Sequence, residues 1–318
     1  MCIRDSLHAA NHELWVLQPK HAVALLAEAG ADAQAAVEAA EQEAYALVEQ
    51  VGYLPLAVKI AGRRLDSQAR VTGHGQAIAR LAGELQARLL SLKVAGRRAG
   101  IDERELSLEA VIALSYEHLP DGDTQRAFRT LAVFGGQPLD FDAAAAAGLW
   151  QIQASDAGDR LAQLIDAGLL EVAHAGGQAR YSLHQTIAAY AAAHLAENAA
   201  EQHAAELAHA RHYASIVAGW NEALKAGRMT YSAPLEWPQV SAALDRLEQA
   251  AASDDAAAGV LIEVSRAWRN TLHNNHDRRL LGWLNAAVVA ARRVAGDWDL
   301  ANVLQAQGNV LALSLIHI

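Results

Sequence analysis

Residues 164–195 read LIDAGLLEVAHAGGQARYSLHQTIAAYAAAHL, and this run decides what kind of fold the chain adopts. It opens on the end of an apolar-periodic helix capped by Ser155, carrying Leu164 and Ile165 and stopped by Gly168. LLEVAHAGGQARYSLH then alternates, with Gly176-Gly177 at its centre, which is the pattern of a β-hairpin with a tight turn. A helical stretch resumes at Gln185. Helices, one hairpin and another helix predict a winged helix.

Working upstream, SLEAVIALSYEHLPDGDTQRAFRTLAVFGG (107–136) predicts a helix capped by Ser107, a loop at 120–122, and a helix capped by Asp123. Earlier still, VGYLPLAVKIAGRRL (51–65) places a proline at the head of a helix. Proline is tolerated there because its missing N–H has no intrahelical partner to lose. Gly52-Tyr53-Leu54 is then a tight, extended entry. Leu54, Ala57, Val58, Ala61 and Leu65 fall on one helical face, with Lys59, Arg63 and Arg64 toward the other. On the N-terminal side the pattern predicts a short buried strand at 14–17, a helix from Pro19 with Gly30 as its stop, and a helix from Ala33 to Gln50. On the other side it predicts a loop at Gly73-His74-Gly75 and a helix from Gln76 to Leu90. Beyond Gln185 every strong period is helical as far as Ala312. Residues 283–308 resemble one junction between tetratricopeptide-type helices, whose repeat period is about 34 residues. The predicted fold class is therefore mainly α: a helical domain, a winged helix with a β-hairpin wing, then an α-helical, tetratricopeptide-like segment.

Composition agrees with packed helices. Of 318 residues, 53% are hydrophobic, much of this alanine, while aromatics make up 5%. A formal net charge of −10 does not attract nucleic acid or an anionic membrane. No apolar run approaches the roughly 18 residues of a membrane helix, so a soluble, cytoplasmic protein without a membrane partner is expected. The end segments, MCIRDS (1–6) and LSLIHI (313–318), resemble translated sequencing-adapter sequence and are set aside from fold reasoning, which leaves about Leu7 to Ala312 as natural sequence. The single cysteine, Cys2, lies in the first of them, so disulfides, zinc thiolate sites and cysteine nucleophiles are not expected in that segment.

GYLPLAVKIAGRRL (52–65), LSYEHLPDGDTQRAFRTLAVFGG (114–136) and the 164–195 run resemble, in order and spacing, the later half of NB-ARC signalling ATPases, part of the wider STAND class of nucleotide-controlled switches. EWPQVSAALDRLEQA (236–250) and the repeat-like end resemble what bacterial members carry next. The resemblance implies an adenine pocket lined by Leu54 and Pro55, an apolar wall beside backbone groups that bond the base edge. It also implies that His184, in SLHQ where the family has Met-His-Asp, reaches the β-phosphate of bound ADP; Leu183 stands for the methionine and Gln185 departs from the aspartate. The cofactors so implied are ADP or ATP with Mg, held by the full-length parent, a slow ATPase switch. Its partners would be a nucleotide, a protein or small-molecule ligand at the repeats, and further copies of itself when activated.

Several constellations point away from catalysis in this segment. It has no G-x-x-x-x-G-K-[ST] phosphate loop, and its four lysines, Lys20, Lys59, Lys93 and Lys225, sit in no such context. The resemblance places that loop, and the acidic Mg-binding strand, before Leu7. No catalytic residue is therefore assigned. His209 with His212 and His273 with His276 lack further ligands and are read as solvated helix faces, so no metal is expected. There is no dinucleotide fingerprint at 73–75 and no G-x-S-x-G elbow. The recognition helix of a DNA-binding winged helix would be SDAGDRLAQLIDAG (155–168), which carries Asp156, Asp159 and Asp166 against Arg160 and predicts no direct DNA contact.

The expected organisation is 7–98, the end of a nucleotide-binding domain with a helical subdomain; 99–200, the winged helix; 201–272, a helical linker; and 273–312, the start of the repeats. The function expected is a bacterial ADP/ATP-controlled regulatory switch with a helical sensor arm. A nucleotide-independent helical scaffold, favoured by Gln185, and a DNA-binding transcriptional regulator are the alternatives.

Overall fold

A computed structural model describes residues 16–94, 103–175, 177–227, 235–267, 277 and 279–316. Among them the chain is mainly α, with fifteen α-helices and one two-stranded antiparallel sheet. It divides into two compact units, 1–119 with 166–169, and 120–165 with 170–318. No helix among the described residues is long and apolar enough to cross a membrane.

The first unit holds α1 (Pro19–Ala27), α2 (Ala31–Ala39), α3 (Glu41–Gln50), α4 (Pro55–Thr72), α5 (His74–Val94) and α6 (Glu103–Glu117). Helix α4 is its centre and packs against α1, α2, α5 and α6. Pro55 stands at its first position, and Ala57, Val58, Ala61 and Leu65 are buried as the spacing predicts, while Lys59 and Arg63 are exposed. Ile60, Gly62, Asp66, Gln68 and Ala69 are buried too, because several helices close on it. At Gly62 a Cβ would stand 2.9 Å from the carbonyl oxygen of Leu26, so glycine lets α1 approach.

Several local expectations are corrected here. Gly30 does not stop α1 in a left-handed turn; its φ is 174° and it leads into α2, where a Cβ would meet the Asp66 carboxylate at 2.0 Å. The 33–50 helix is broken at Ala40, with φ −147° and ψ 60°, into α2 and α3. Gly52 and Tyr53 are left-handed, at φ 70° and 55°, and only Leu54 is extended. Ser107 lies inside α6 rather than at its cap, and its hydroxyl donates to the carbonyl of Glu103 at 2.9 Å. Glu103 and Glu105 instead occupy the first turn, where the helix dipole favours acids. His74 and Gly75 begin α5 instead of preceding it, and Gly73 turns the chain at φ 84°. Of the expected strand at 14–17, residues 14 and 15 lie outside the described residues; Val16 and Leu17 form no strand, and the Leu17 N–H bonds to Tyr53 O at 3.0 Å.

The second unit opens with α7 (Gly122–Thr130), a 3-10 turn (Leu131–Phe134), α8 (Ala143–Trp150) and α9 (Ala154–Asp166). The cap of α7 is Asp121 rather than Asp123, its carboxylate accepting from the Thr124 N–H at 2.7 Å. Ser155 falls inside the first turn of α9. Gly168, at φ 72°, turns the chain after α9. Strands β1 (Glu171–Ala175) and β2 (Gln178–Ser182) then pair from Glu171↔Ser182 to Ala175↔Gln178, which leaves a two-residue turn with Gly177 at φ 81°. Phe141 exchanges two backbone bonds with Tyr181, at 2.9 and 2.8 Å, and the Gln137 N–H bonds to Leu183 O at 2.8 Å. These bridges set the 136–141 segment against β2 and complete the winged helix, whose core stacks Phe134 on Phe141 at 4.1 Å.

From there the unit is helical: α10 (Gln185–Ala196), α11 (Ala199–Lys225), α12 (Trp237–Ala250), α13 (Asp255–Ala267), α14 (Leu280–Val294) and α15 (Asp297–Ile316). Successive members from α11 to α15 pack on one another, and the α14–α15 turn falls at Ala295-Gly296, where the repeat-like pattern predicts it. Trp283 is fully buried there, while Trp298 is exposed beneath the Arg266 guanidinium.

Candidate functional site

The Leu54–Pro55 turn is built by the end of α3. The Gly52 N–H bonds to Glu49 O at 2.9 Å and the Tyr53 N–H to Val48 O at 3.0 Å, which curls the chain back before α4 begins. A tyrosine at φ 55° costs about 1 kcal/mol or more relative to a relaxed backbone, and the bond from Leu17 to its carbonyl helps to hold it. Leu54 is half-buried and Pro55 exposed, leaving an apolar edge on the surface of the first unit. A cavity of about 370 Å³ borders the same turn at Gly52 and Tyr53, between α3, the end of α5 and the start of α6. Its wall mixes Tyr53 and Leu89 with Glu49, Gln50, Lys93, Glu103 and Arg104; Leu54 and Pro55 are not in it.

His184 lies in the second unit, at the junction of β2 and α10. It is half-buried, with φ −58° and ψ 144°, and it caps the helix: its Nδ1 accepts from the Thr186 N–H at 3.2 Å. A ring nitrogen that accepts a hydrogen bond carries no proton, so the neutral ring carries its proton on Nε2. The sequence leaves this tautomer without its acidic neighbour; the backbone sets it instead. Gln185 reaches sideways, its amide donating to Gln137 O at 3.1 Å. With Nδ1 taken by the first turn of α10, Nε2–H is the ring's remaining donor, and such a donor suits an oxyanion such as a phosphate.

The histidine pair at 209 and 212 is corrected. His209 is 1% exposed, packed against Phe134 and Tyr213, with Nε2 3.1 Å from Gln239 Oε1 and Nδ1 3.3 Å from an Arg246 guanidinium nitrogen. Burial, and then the Arg246 charge, push its pKa down to about 3, so it is a neutral core residue. His212 is half-buried and is also shifted down, by burial. His273 and His276 lie outside the described residues. Among the described residues no group of three or more His, Cys, Asp or Glu side chains is placed to hold a metal ion.

Sequence reasoning missed the polar knot behind the wing. Arg180 of β2 is 3% exposed and pairs with Glu236 and with Asp140, whose Oδ1 is 2.6 Å from Nη2. Burial works against that charge; the two carboxylates outweigh it and raise its pKa. Gln239 donates to the carbonyls of Phe134, at 2.9 Å, and Asp140, at 3.1 Å, and Arg246 donates to that of Val133. One signal was available: a lone arginine at an inward position of a hairpin strand needs a buried acid.

Fold and site together define a mainly α chain in which a winged helix leads into a helical array, with a helix-capping histidine between β2 and α10. No protein-family model matches the sequence. The chain is 33% identical over 184 residues to the regulatory protein AfsR of Streptomyces coelicolor, a match that takes in 57% of this chain and 16% of that protein. It is 31% identical over 185 residues to the regulatory protein AfsR of Streptomyces griseus, covering 57% and 17%. The matched region thus spans under a fifth of the length of either relative.

Proposed function

We propose that this chain is a segment of a bacterial regulatory protein that works as an ADP/ATP-controlled switch. The regulatory role rests on the two AfsR relatives, and the switch on the resemblance to NB-ARC proteins at 52–65, 114–136 and 164–195. One observation carries it furthest. His184 has its Nδ1 occupied as the cap of α10, which leaves Nε2–H as the donor this reading turns to a phosphate. In this reading Leu54 and Pro55 give a purine its apolar wall, and Mg and the phosphate loop belong to the parent protein. The nucleotide favours whichever state makes the additional contacts to it, and so shifts the population.

The scaffold reading has one observation in its favour, since capping α10 already gives His184 a structural task. The experiment that separates the two uses the full-length parent and a fluorescent ADP analogue. His184→Ala is expected to speed analogue release on the order of tenfold to a hundredfold, the value of one charge-assisted hydrogen bond, and to raise self-association seen by light scattering. Unchanged release with lowered thermal stability would leave the histidine as a helix cap only.

A further inference from the structure

Helix α12 makes its polar contacts on two different flanks. Residues 239 and 246 are seven apart and 236 precedes 239 by three, so all three fall on one side. On that side Glu236 grips Arg180, Gln239 binds the Phe134 and Asp140 carbonyls, and Arg246 binds the Val133 carbonyl. Residues 237 and 245 turn to the other side. There Asp245 accepts from the Trp283 indole at 2.9 Å and from Arg279 at 2.6 Å, and the Trp237 ring meets Trp283 edge-on at 6.3 Å. What the first flank holds is the layer that leads into His184. Arg180 belongs to the strand that runs into Leu183-His184, and the 133–140 segment is tied to Leu183 through the Gln137 N–H.

We propose that α12 is a lever, through which a displacement of α14 reaches β2 and the 133–140 segment, and by that route regulates the phosphate contact of His184. The last step rests on the nucleotide reading; the mechanical coupling does not. The physical ground is that the Arg180 guanidinium is buried and is held from two sides, by Glu236 at the head of α12 and by Asp140 of the 133–140 segment, both partly exposed. Drawing Glu236 away would leave the buried guanidinium with Asp140 alone and its Nη1 without the carboxylate that holds it, a cost that favours β2 and the 133–140 segment moving with α12. Arg246 adds to this stiffness, since, half-buried, it bridges His209 and the Val133 carbonyl. Coupling through such an element is carried by discrete arrangements of packed groups.

The test is hydrogen–deuterium exchange by mass spectrometry on the 318-residue chain, without nucleotide. Asp245→Asn removes the charge that faces Arg279 but that charge also acts on Arg246, so Trp283→Phe, which deletes the indole bond to Asp245 from the α14 side, is made beside it; both are expected to raise exchange in peptides spanning 133–141 and 178–186. The size expected is about twofold to thirtyfold. Glu236→Gln, on the other flank, is expected to raise exchange in 280–290. Val264→Ala, a cavity in the buried face of α13, is the control for general loosening. Exchange confined to the flank that was mutated, or an equal response in the wing to Val264→Ala, would overturn the lever. In the parent protein Asp245→Asn and Trp283→Phe should also change release of the ADP analogue. Coupled exchange with unchanged release would leave the lever standing and reject its regulation of a phosphate contact.

Discussion

His209 shows how far one side chain's setting departs from its local sequence. Its neighbours on α11 are alanines, arginine and another histidine, which reads as a surface, yet it is buried between Phe134, Tyr213, Gln239 and Arg246. The ring must stay neutral, because protonating Nδ1 would set two cations against each other. Its pKa falls from 6.5 to about 3, so between those values the unfolded chain binds a proton that the folded chain refuses. Stability is therefore complete above about pH 6.5 and falls as pH drops, by about 1.4 kcal/mol per unit from this group. Urea unfolding at pH 6.5 and pH 5 should differ by about 2 kcal/mol from this cause, with His212 acting in the same direction. In His209→Gln the amide can accept from Arg246 and donate to Gln239, and the profile should flatten. A full slope in that variant would assign the acid loss to other groups.

At the scale of elements, the start of α2 is set by a residue on α4. The Asp66 carboxylate is buried and accepts from the N–H groups of Asp32 and Ala33, both at 3.1 Å, capping a helix with a residue more than thirty positions away. Arg70 pairs with Asp66 and lies 3.1 Å from Asp32, so the cap keeps its charge partner. Gly30 leaves the room that this carboxylate fills. Asp66→Ala should cost about 1–2 kcal/mol, as the loss of a good cap does. Gly30→Ala should cost about 1–3 kcal/mol through the clash. The two losses should not add, since removing the carboxylate removes the obstacle, and a double-mutant cycle by urea unfolding measures the difference. Additive costs would mean that the glycine serves something other than Asp66.

For the molecule as a whole, the question is whether a winged helix in a regulatory protein must touch DNA. The helix before the hairpin exposes Asp156, Asp159 and Asp166, and Arg180, the one Arg or Lys of the two strands, is buried in its ion pairs. A net charge of −10 also opposes the approach of a phosphate backbone. A gel shift at physiological salt should accordingly show at most weak, salt-sensitive binding to duplex DNA. Sequence-specific binding would make the wing a reader and displace the switch proposal.

Sequence by itself determined the features whose causes are local. Pro55 opens α4 because its fixed φ and missing N–H suit the first position, and Gly177 helps to turn the hairpin because glycine takes a left-handed backbone without strain. The period of 3.6 from Gln185 onward made the helical array legible before any contact was known. Tertiary structure decided the rest. Nothing in an alanine-rich run marks Ala40 as a break, since alanine favours helix on both sides and packing imposes the interruption. Asp121 caps α7 where Asp123 reads equally well, because one carboxylate reaches the Thr124 N–H. Arg180 finds Asp140 and Glu236 at separations of 40 and 56 residues, and no local pattern contains a partner that distant. At His184 the sequence supplied the histidine, while its tautomer came from a backbone N–H that exists in that place only once α10 has formed.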